Sequence, residues 1–231
     1  MSIADKLVTI AENQRAIYDK GNADGWDLGY GNGQGRVENL VTCNGERAQY
    51  GYAFAYQDWT GYTFSVPIMV KGSISNMFFT YQGTELPNGI DYTQATGTPD
   101  YMFRYSPKLT RIRDINLPVP TKYQLTFGDM NSIKKIDIVR CNENTVFTDT
   151  FRQVKTLEEV TFEGVIGQNG LNLQWSTELT RESLLSILNC LQDKTSDTSG
   201  TTWKVTIGSA NLAKLTTEEI ERAEQKGWMI V

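Results

Sequence analysis

Residues 126–138 read TFGDMNSIKKIDI, and residues 150–162 read TFRQVKTLEEVTF. Their phenylalanines are 24 positions apart, and aliphatic residues follow each one at the same intervals. A third stretch, residues 102–112, reads MFRYSPKLTRI, and its Phe103 lies 24 positions before Phe127. The apolar positions that recur at this step are Phe103, Phe127 and Phe151, then Leu109, Ile133 and Leu157, and then Ile112, Ile136 and Val160. A fixed period in the twenties predicts a solenoid, in which each unit buries its apolar face only against its neighbours.

The end of each repeated unit alternates between apolar and polar residues. Ile136 with Ile138, and Val160 with Phe162, predict a short strand in each unit, and the segment before it makes the turn. Further back, Phe78 and Phe54 continue the phenylalanine step only roughly, with intervals of 25 and 24 residues, and without the leucine and isoleucine that should follow. We therefore expect residues 37–100 to form a β-rich region or an irregular N-terminal cap of the stack.

Two aromatic-rich stretches with a period of two precede the repeats. Residues 50–56 and 62–70 alternate as strands, and the tight connection at residues 58–61 predicts a β-hairpin. Aromatic residues on one strand face are most often core residues, although such a ladder also suits a surface on which saccharides stack. Trp59 and Tyr62 lie at the predicted tip and are expected to be exposed.

The first twenty residues have the pattern of a helix. Apolar side chains recur at heptad positions and form one stripe, made of Ile3, Leu7, Ile10 and Ile17. A helix this short is marginal alone in water, so it packs on its own body, self-associates or docks into another protein. We assign residues 1–20 to anchoring or oligomerisation, and the glycine-rich residues 21–36 to a hinge.

The C-terminal third adds helices to the pattern. Thr180 suits the N-cap of a helix with one apolar face, made of Leu184, Leu185, Leu188 and Leu191. Thr216 with Glu219 forms a second capping sequence. Predicted strands at residues 203–207 and 228–231 flank that second helix. The predicted fold class is therefore mixed α+β and β-rich. It has an N-terminal helix, a β-hairpin region and a leucine-rich-repeat-like solenoid over residues 101–231 with a βαβ C-terminal cap.

Composition excludes several classes of function. Histidine is absent, and 22 Lys and Arg against 27 Asp and Glu give a formal net charge of −5. The negative net charge disfavours nucleic-acid binding. The lack of histidine excludes active sites and metal sites that depend on this residue, which is the commonest general base and metal ligand. Three widely spaced cysteines, Cys43, Cys141 and Cys190, are expected to be buried thiols.

The sequence also lacks a recognisable catalytic arrangement. The acidic residues that a glycoside hydrolase would need show no recognisable pairing; they are Asp58, Asp91, Asp100, Asp114, Asp129 and Asp137. We therefore predict no catalytic residue, no metal site, no cofactor and no enzymatic activity, and keep a carbohydrate-active enzyme as a third alternative. The N-terminus lacks the pattern of a signal peptide, and no apolar run could span a membrane. We therefore expect a soluble protein that is made in the cytoplasm and is not exported by the general secretory route.

The repeated units resemble BspA-type leucine-rich repeats, which read A-F-x-x-C-x-x-L-x-x-I-x-I. The family's cysteine is replaced by Ser106, Met130 and Val154, and Asp114 stands at the last position of the first unit. The resemblance therefore rests on the apolar scaffold, over about sixty residues. Members of that family are bacterial surface adhesins and proteins of bacteriophages that infect gut bacteria.

Both ends of the chain are similar to prophage-encoded virion-associated proteins that carry such repeats. The similarity lies in residues 1–13, MSIADKLVTIAEN, and in residues 205–215, VTIGSANLAKL, which are followed by Gly227 and Trp228. It implies a non-enzymatic virion structural protein of the tail, baseplate or capsid, assembled in the host cytoplasm and active in host attachment. The alternative is a bacterial cell-surface adhesin that binds host protein or glycan.

The resemblance also implies partners. The N-terminal helix would contact other virion proteins, and a homo-oligomer is expected, for which a trimer suits a short helical seam. A host receptor or glycan would be contacted through Trp59, Tyr62 and Tyr105, whereas neither nucleic-acid binding nor membrane insertion is expected.

Overall fold

The computed structural model describes residues 53–70 and 72–231, and this part of the chain is rich in β structure. Its strands are β1 (Thr63–Met69), β2 (Asn88–Asp91), β3 (Arg111–Ile112), β4 (Lys122–Gln124), β5 (Lys135–Cys141), β6 (Val146–Thr148), β7 (Glu159–Gly164), β8 (Trp203–Val205) and β9 (Trp228–Ile230). Its helices are α1 (Arg181–Cys190), α2 (Ser209–Leu212) and α3 (Thr217–Glu224). Among these residues, no helix is long and apolar enough to cross a membrane.

The strands pair in four small parallel sheets within the described residues. Their orders are β1-β2, β3-β5-β7, β4-β6 and β8-β9. In the central sheet Ile112 pairs with Ile136, and Ile136 pairs with Val160, so neighbouring strands are offset by one 24-residue step. The same step separates Tyr123 in β4 from Phe147 in β6.

A column of phenylalanine rings runs through the core. Phe54, Phe78, Phe103, Phe127 and Phe151 lie in successive layers, and all are buried. The centroid distances between neighbouring rings, in that order, are 5.0, 5.5, 5.9 and 5.4 Å. Parallel offset stacking of buried rings contributes about 0.5–1.5 kcal/mol per pair beyond the burial of their surface. The predicted alignment of Phe103, Phe127 and Phe151 is confirmed by these contacts.

Each phenylalanine sits in a turn that ends on a left-handed residue. Each column phenylalanine is followed two positions later by a residue with φ between 56° and 62°, and these residues are Tyr56, Thr80, Tyr105, Asp129 and Gln153. The amides of Thr80, Tyr105 and Asp129 donate to carbonyl oxygens of the next layer at 2.7–3.2 Å. These inter-layer hydrogen bonds offset part of the strain of a left-handed non-glycine residue.

The predicted fold class is wrong. The described residues form a β-rich structure of four small parallel sheets with few helices, and no leucine-rich-repeat solenoid is present in them. Strand pairing stops between β2 and β3, and residues 113–121 after β3 are irregular. Pro118 and Pro120 lie in that segment, and proline cannot donate a hydrogen bond to a neighbouring strand.

The predicted β-hairpin is also absent from the described residues. Residues 53–56 form a turn, and β1 pairs in parallel with β2, with Thr63 opposite Asn88. The alternating pattern of residues 50–56 was misleading because Phe54 is part of the buried column, where its amide donates to the carbonyl oxygen of Met77 at 2.9 Å.

The C-terminal helices begin where the sequence predicts. The Thr180 hydroxyl accepts from the Ser183 amide at the start of α1, and Thr216 with Glu219 forms a reciprocal capping box at the start of α3. The strands β8 and β9 flank α2 and α3 and pair in parallel.

The N-terminal predictions lie outside the described residues. They comprise the helix of residues 1–20 with its stripe Ile3, Leu7, Ile10 and Ile17, and the hinge of residues 21–36. The boundary proposed at residue 100 stays a prediction.

Candidate binding surface

The three predicted receptor-binding residues have different environments. Trp59 is only 1 % exposed, so the expectation of an exposed tip is wrong for this residue. Its ring packs edge-on against Phe54 at 5.6 Å and against Tyr62 at 5.0 Å. Tyr62 is half-buried, whereas Tyr105 is 43 % exposed. Trp59 is buried because no hairpin exists to carry it away from the core.

Tyr105 belongs to a second group of rings on the turn side of the layers. Its ring lies 5.7 Å from that of Phe79, which lies 6.0 Å from that of Tyr56. The guanidinium of Arg104 lies 4.3 Å from the Tyr105 ring centroid and 5.6 Å from that of Tyr101. We call these five residues the aromatic ridge. Apart from the exposed Tyr105, its members are half-buried.

The repeating turn explains how the ridge is built. Tyr105 has φ of 60°, and this left-handed conformation ends the turn that buries Phe103. Tyr101, with φ of 58°, stands two residues before the same phenylalanine. Arg104 therefore lies between two turn residues whose rings flank its guanidinium, and each such contact contributes about 0.5–1 kcal/mol at an exposed site.

Arg104 is held in place by hydrogen bonds as well as by the rings. Its Nε donates to Oδ2 of Asp129 at 2.9 Å, and its Nη2 donates to the Tyr105 hydroxyl at 2.7 Å. Arg152, two repeat steps from Arg104, donates from Nη2 to the same Asp129 oxygen at 3.0 Å. Gly128 occupies the equivalent position between the two arginines. One carboxylate oxygen is thus shared by two guanidinium groups.

A cleft of about 540 Å³ opens where strand pairing stops. Its walls are β2 and residues 113–116. Nη2 of Arg113 crosses it and donates to the carbonyl oxygens of Leu86 and Pro87 at 3.1 and 2.8 Å. The Arg113 guanidinium therefore binds carbonyl oxygens just before β2. Within the described residues, β2 pairs with β1 and with no other strand.

The acidic residues of the cleft are held by partners from the fold itself. Oδ1 of Asp91 accepts from the amide and hydroxyl of Thr93, which lowers the pKa of Asp91. Asp114 accepts two hydrogen bonds from Arg140, at 2.6 and 2.8 Å, and this pairing lowers the pKa of Asp114. A general acid for glycoside hydrolysis needs a raised pKa, so neither carboxyl suits that role.

The remaining acids considered from sequence also have partners. Asp100 pairs with Lys122 at 2.9 Å, Asp137 pairs with Arg111 at 2.7 Å, and Asp58 accepts from the Thr60 amide at 2.9 Å. Within residues 53–70 and 72–231, no group of three histidine, cysteine or acidic residues could hold a metal ion.

The cysteines have the features of buried thiols. Burial raises the pKa of Cys141 to about 12 and also raises the pKa of the half-buried Cys190. A thiol with a raised pKa carries little thiolate at neutral pH, which is the reactive form. Cys43 lies outside the described residues.

Comparison with known proteins gives no relative: no family model, no curated protein and no solved structure matches this chain.

Sequence reasoning found one residue of the aromatic ridge, Tyr105, and missed the other four. The apolar pattern drew attention to buried positions, whereas Arg104 of the ridge and its neighbour Arg152 are polar residues at one repeat position. Their spacing of two repeat steps, with Asp129 between them, was a signal that could have identified this cluster.

Proposed function

We propose that this chain is a non-enzymatic structural protein of a bacteriophage virion, which acts in assembly and in attachment to the host. The observation that carries the proposal is the aromatic ridge. Exposed and half-buried rings around a fixed guanidinium are typical of binding surfaces, because aromatic residues and arginine supply most hot-spot energy in protein recognition.

The scaffold supports this role. Tyr56, Phe79 and Tyr105 come from three successive layers, and buried phenylalanines stack beneath them through the core. Such support fixes the ridge before a ligand arrives and lowers the entropy cost of binding. Anchoring is assigned to residues 1–20, through Ile3, Leu7, Ile10 and Ile17.

The test is fractionation of particles from the bacterial strain that carries the gene. Phage release would be induced, and particles would be purified on a density gradient and probed with an antibody to this chain. We expect the full-length chain to band with the particles and a variant lacking residues 1–20 to remain in the unassembled fraction. Circular dichroism of that variant would check that its body is folded.

Two outcomes would overturn the proposal. A full-length chain absent from the particle band would contradict the virion assignment. A folded variant without residues 1–20 that still bands with particles would contradict the anchoring role. Flanking capsid or tail genes would support the assignment independently.

The second candidate, a bacterial cell-surface adhesin, is favoured by the same ridge. It predicts that the chain is found on intact cells in cultures that release no particles. Surface labelling of such cells with the same antibody separates the two candidates.

A further inference from the structure

Arg104 of the aromatic ridge and the neighbouring Arg152 have more hydrogen-bond donors than their hydrogen bonds within the chain use. A guanidinium carries five N–H donors. Arg104 uses one at Nε and one at Nη2, so three have no hydrogen-bond acceptor among the described residues. Arg152 uses one donor at Nη2 for Asp129, and its side chain is 39 % exposed, so its remaining terminal N–H groups can meet an external acceptor. Its Nε has no partner among the described residues but is buried, so it does not contribute to such a contact. The Arg104 side chain is only 15 % exposed, so Arg152 is the more accessible of the two arginines.

Charge at this cluster points to an anionic acceptor. Arg104 and Arg152 share the single carboxylate of Asp129, at 2.9 and 3.0 Å. The two guanidinium groups and the Asp129 carboxylate carry one net positive charge. Asp149 also acts on Arg152 and offsets part of this charge, although it forms no ion pair with that arginine among the described residues. A planar carboxylate matches the fork geometry of a guanidinium.

The rings beside the arginine define the rest of the ligand. Tyr105 is 43 % exposed, and its ring contacts that of the half-buried Phe79, which in turn contacts the half-buried Tyr56. Aromatic rings offer flat apolar faces against which the C–H faces of sugar rings pack. The hydroxyl of Tyr105, fixed by Nη2 of Arg104, can also exchange hydrogen bonds with sugar hydroxyls.

We infer that the aromatic ridge binds an anionic saccharide, a chain of sugar rings that bear carboxylate groups. Arg104 and the more exposed Arg152 pair with a carboxylate through their remaining N–H donors, and a sugar ring packs against the exposed ring of Tyr105. The inference deepens the proposed function and rests on it, because it names the chemical class that the attachment surface recognises on a cell envelope.

Calorimetric titration of the full-length chain with tetragalacturonate tests the inference. Maltotetraose, which has the same number of rings and no charge, is the comparison ligand. We expect tetragalacturonate to bind at least about tenfold more tightly, and the difference to shrink as salt is added. Equal affinity for the two ligands, or no binding of tetragalacturonate, would overturn the inference.

Substitutions locate the binding to the ridge. Arg104→Gln and Tyr105→Ala should each weaken tetragalacturonate binding by about tenfold or more, and Arg104→Lys should restore only part of it because an ammonium lacks the planar fork. Arg111→Gln and Trp175→Ala are matched controls, since both remove exposed residues that lie outside the ridge. Equal losses in the controls, with folded variants, would contradict this assignment of the site.

The two proposals fail separately. If the chain bands with particles and attaches to envelopes through Tyr105 but binds neither oligosaccharide, the saccharide inference is wrong and the proposed function stands. If the chain binds tetragalacturonate but is absent from particles, the virion assignment is wrong.

Discussion

Phe103 and Phe127 are 24 positions apart in the sequence, yet their rings stack with centroids 5.9 Å apart and planes within 5° of parallel. Their backbones are linked through neighbours: the Phe103 amide donates to the Thr126 carbonyl oxygen at 3.0 Å. A side chain in this column therefore stabilises the layer above it and the layer below it.

Truncation of a central ring should be costly. Phe127 lies between Phe103 and Phe151, and Phe127→Ala should lower the free energy of unfolding by about 3–5 kcal/mol. Val119→Ala is the control, because Val119 is an exposed apolar residue and should lose about 0.5 kcal/mol or less. Urea denaturation of the two variants measures the difference. Similar losses in both would contradict a continuous core.

One glycine marks the closest approach of two strands. A Cβ at Gly164, at the end of β7, would lie 1.9 Å from the carbonyl oxygen of Cys141 in β5. Because φ at Gly164 is also 112°, Gly164→Ala should destabilise the protein by about 3 kcal/mol or more.

Gly200→Ala is the matched control for this substitution. Gly200 also has a positive φ, but no atom lies within 4 Å of a Cβ built there, so the loss should be about 1 kcal/mol. Thermal melting of the two variants measures their stabilities, and Gly164→Ala should be the less stable one. A Gly164→Ala variant as stable as Gly200→Ala would mean that the two strands do not approach as described.

Buried hydroxyl groups form hydrogen bonds between successive layers. Oγ1 of Thr150, which is almost fully buried, donates to the Tyr123 carbonyl oxygen at 2.6 Å. Thr150→Val keeps the shape of the side chain but leaves that carbonyl without this donor, at a cost of about 1–3 kcal/mol. The exposed Thr148 provides the control, Thr148→Val, for which urea denaturation should detect almost no change. A null effect at both positions would rule out this role for the hydroxyl.

Acid should weaken the fold partly through Asp114. Arg140 lowers the pKa of this carboxyl below its ordinary value of 3.8, so the ionised form favours the folded state. The contribution to stability is present above the ordinary pKa and is lost as the pH falls through the lower pKa of the folded state. Asp114→Asn should therefore lose less stability than the unmodified chain between about pH 7 and about pH 3. Urea midpoints at the two pH values measure this, and an unchanged acid loss would contradict the ion pair's role.

Parts of the structure could be predicted from the sequence because they depend on local spacing. The alignment of Phe103, Phe127 and Phe151 follows from a fixed step, which places equivalent residues in equivalent environments. The helix starts at Thr180 and Thr216 follow from hydroxyl side chains that accept hydrogen bonds from nearby amides.

Other features depend on contacts that no local pattern contains. The alternation around Phe54 resembles a strand, although tertiary packing places this residue in a turn. Trp59 is buried because the chain folds back onto Phe54. The left-handed turns end on threonine, tyrosine, aspartate and glutamine, and only aspartate among these is enriched at positive φ, so residue type gives little warning.

The most direct test of the account is adsorption of the purified full-length chain to cell envelopes of its host strain. The aromatic ridge predicts that Tyr105→Ala will reduce the bound fraction by about tenfold or more, whereas Trp175→Ala will leave it unchanged. Trp175 is the suitable control because it is 39 % exposed, close to the 43 % of Tyr105. Equal adsorption of the two variants would contradict the assignment of the ridge as the attachment surface.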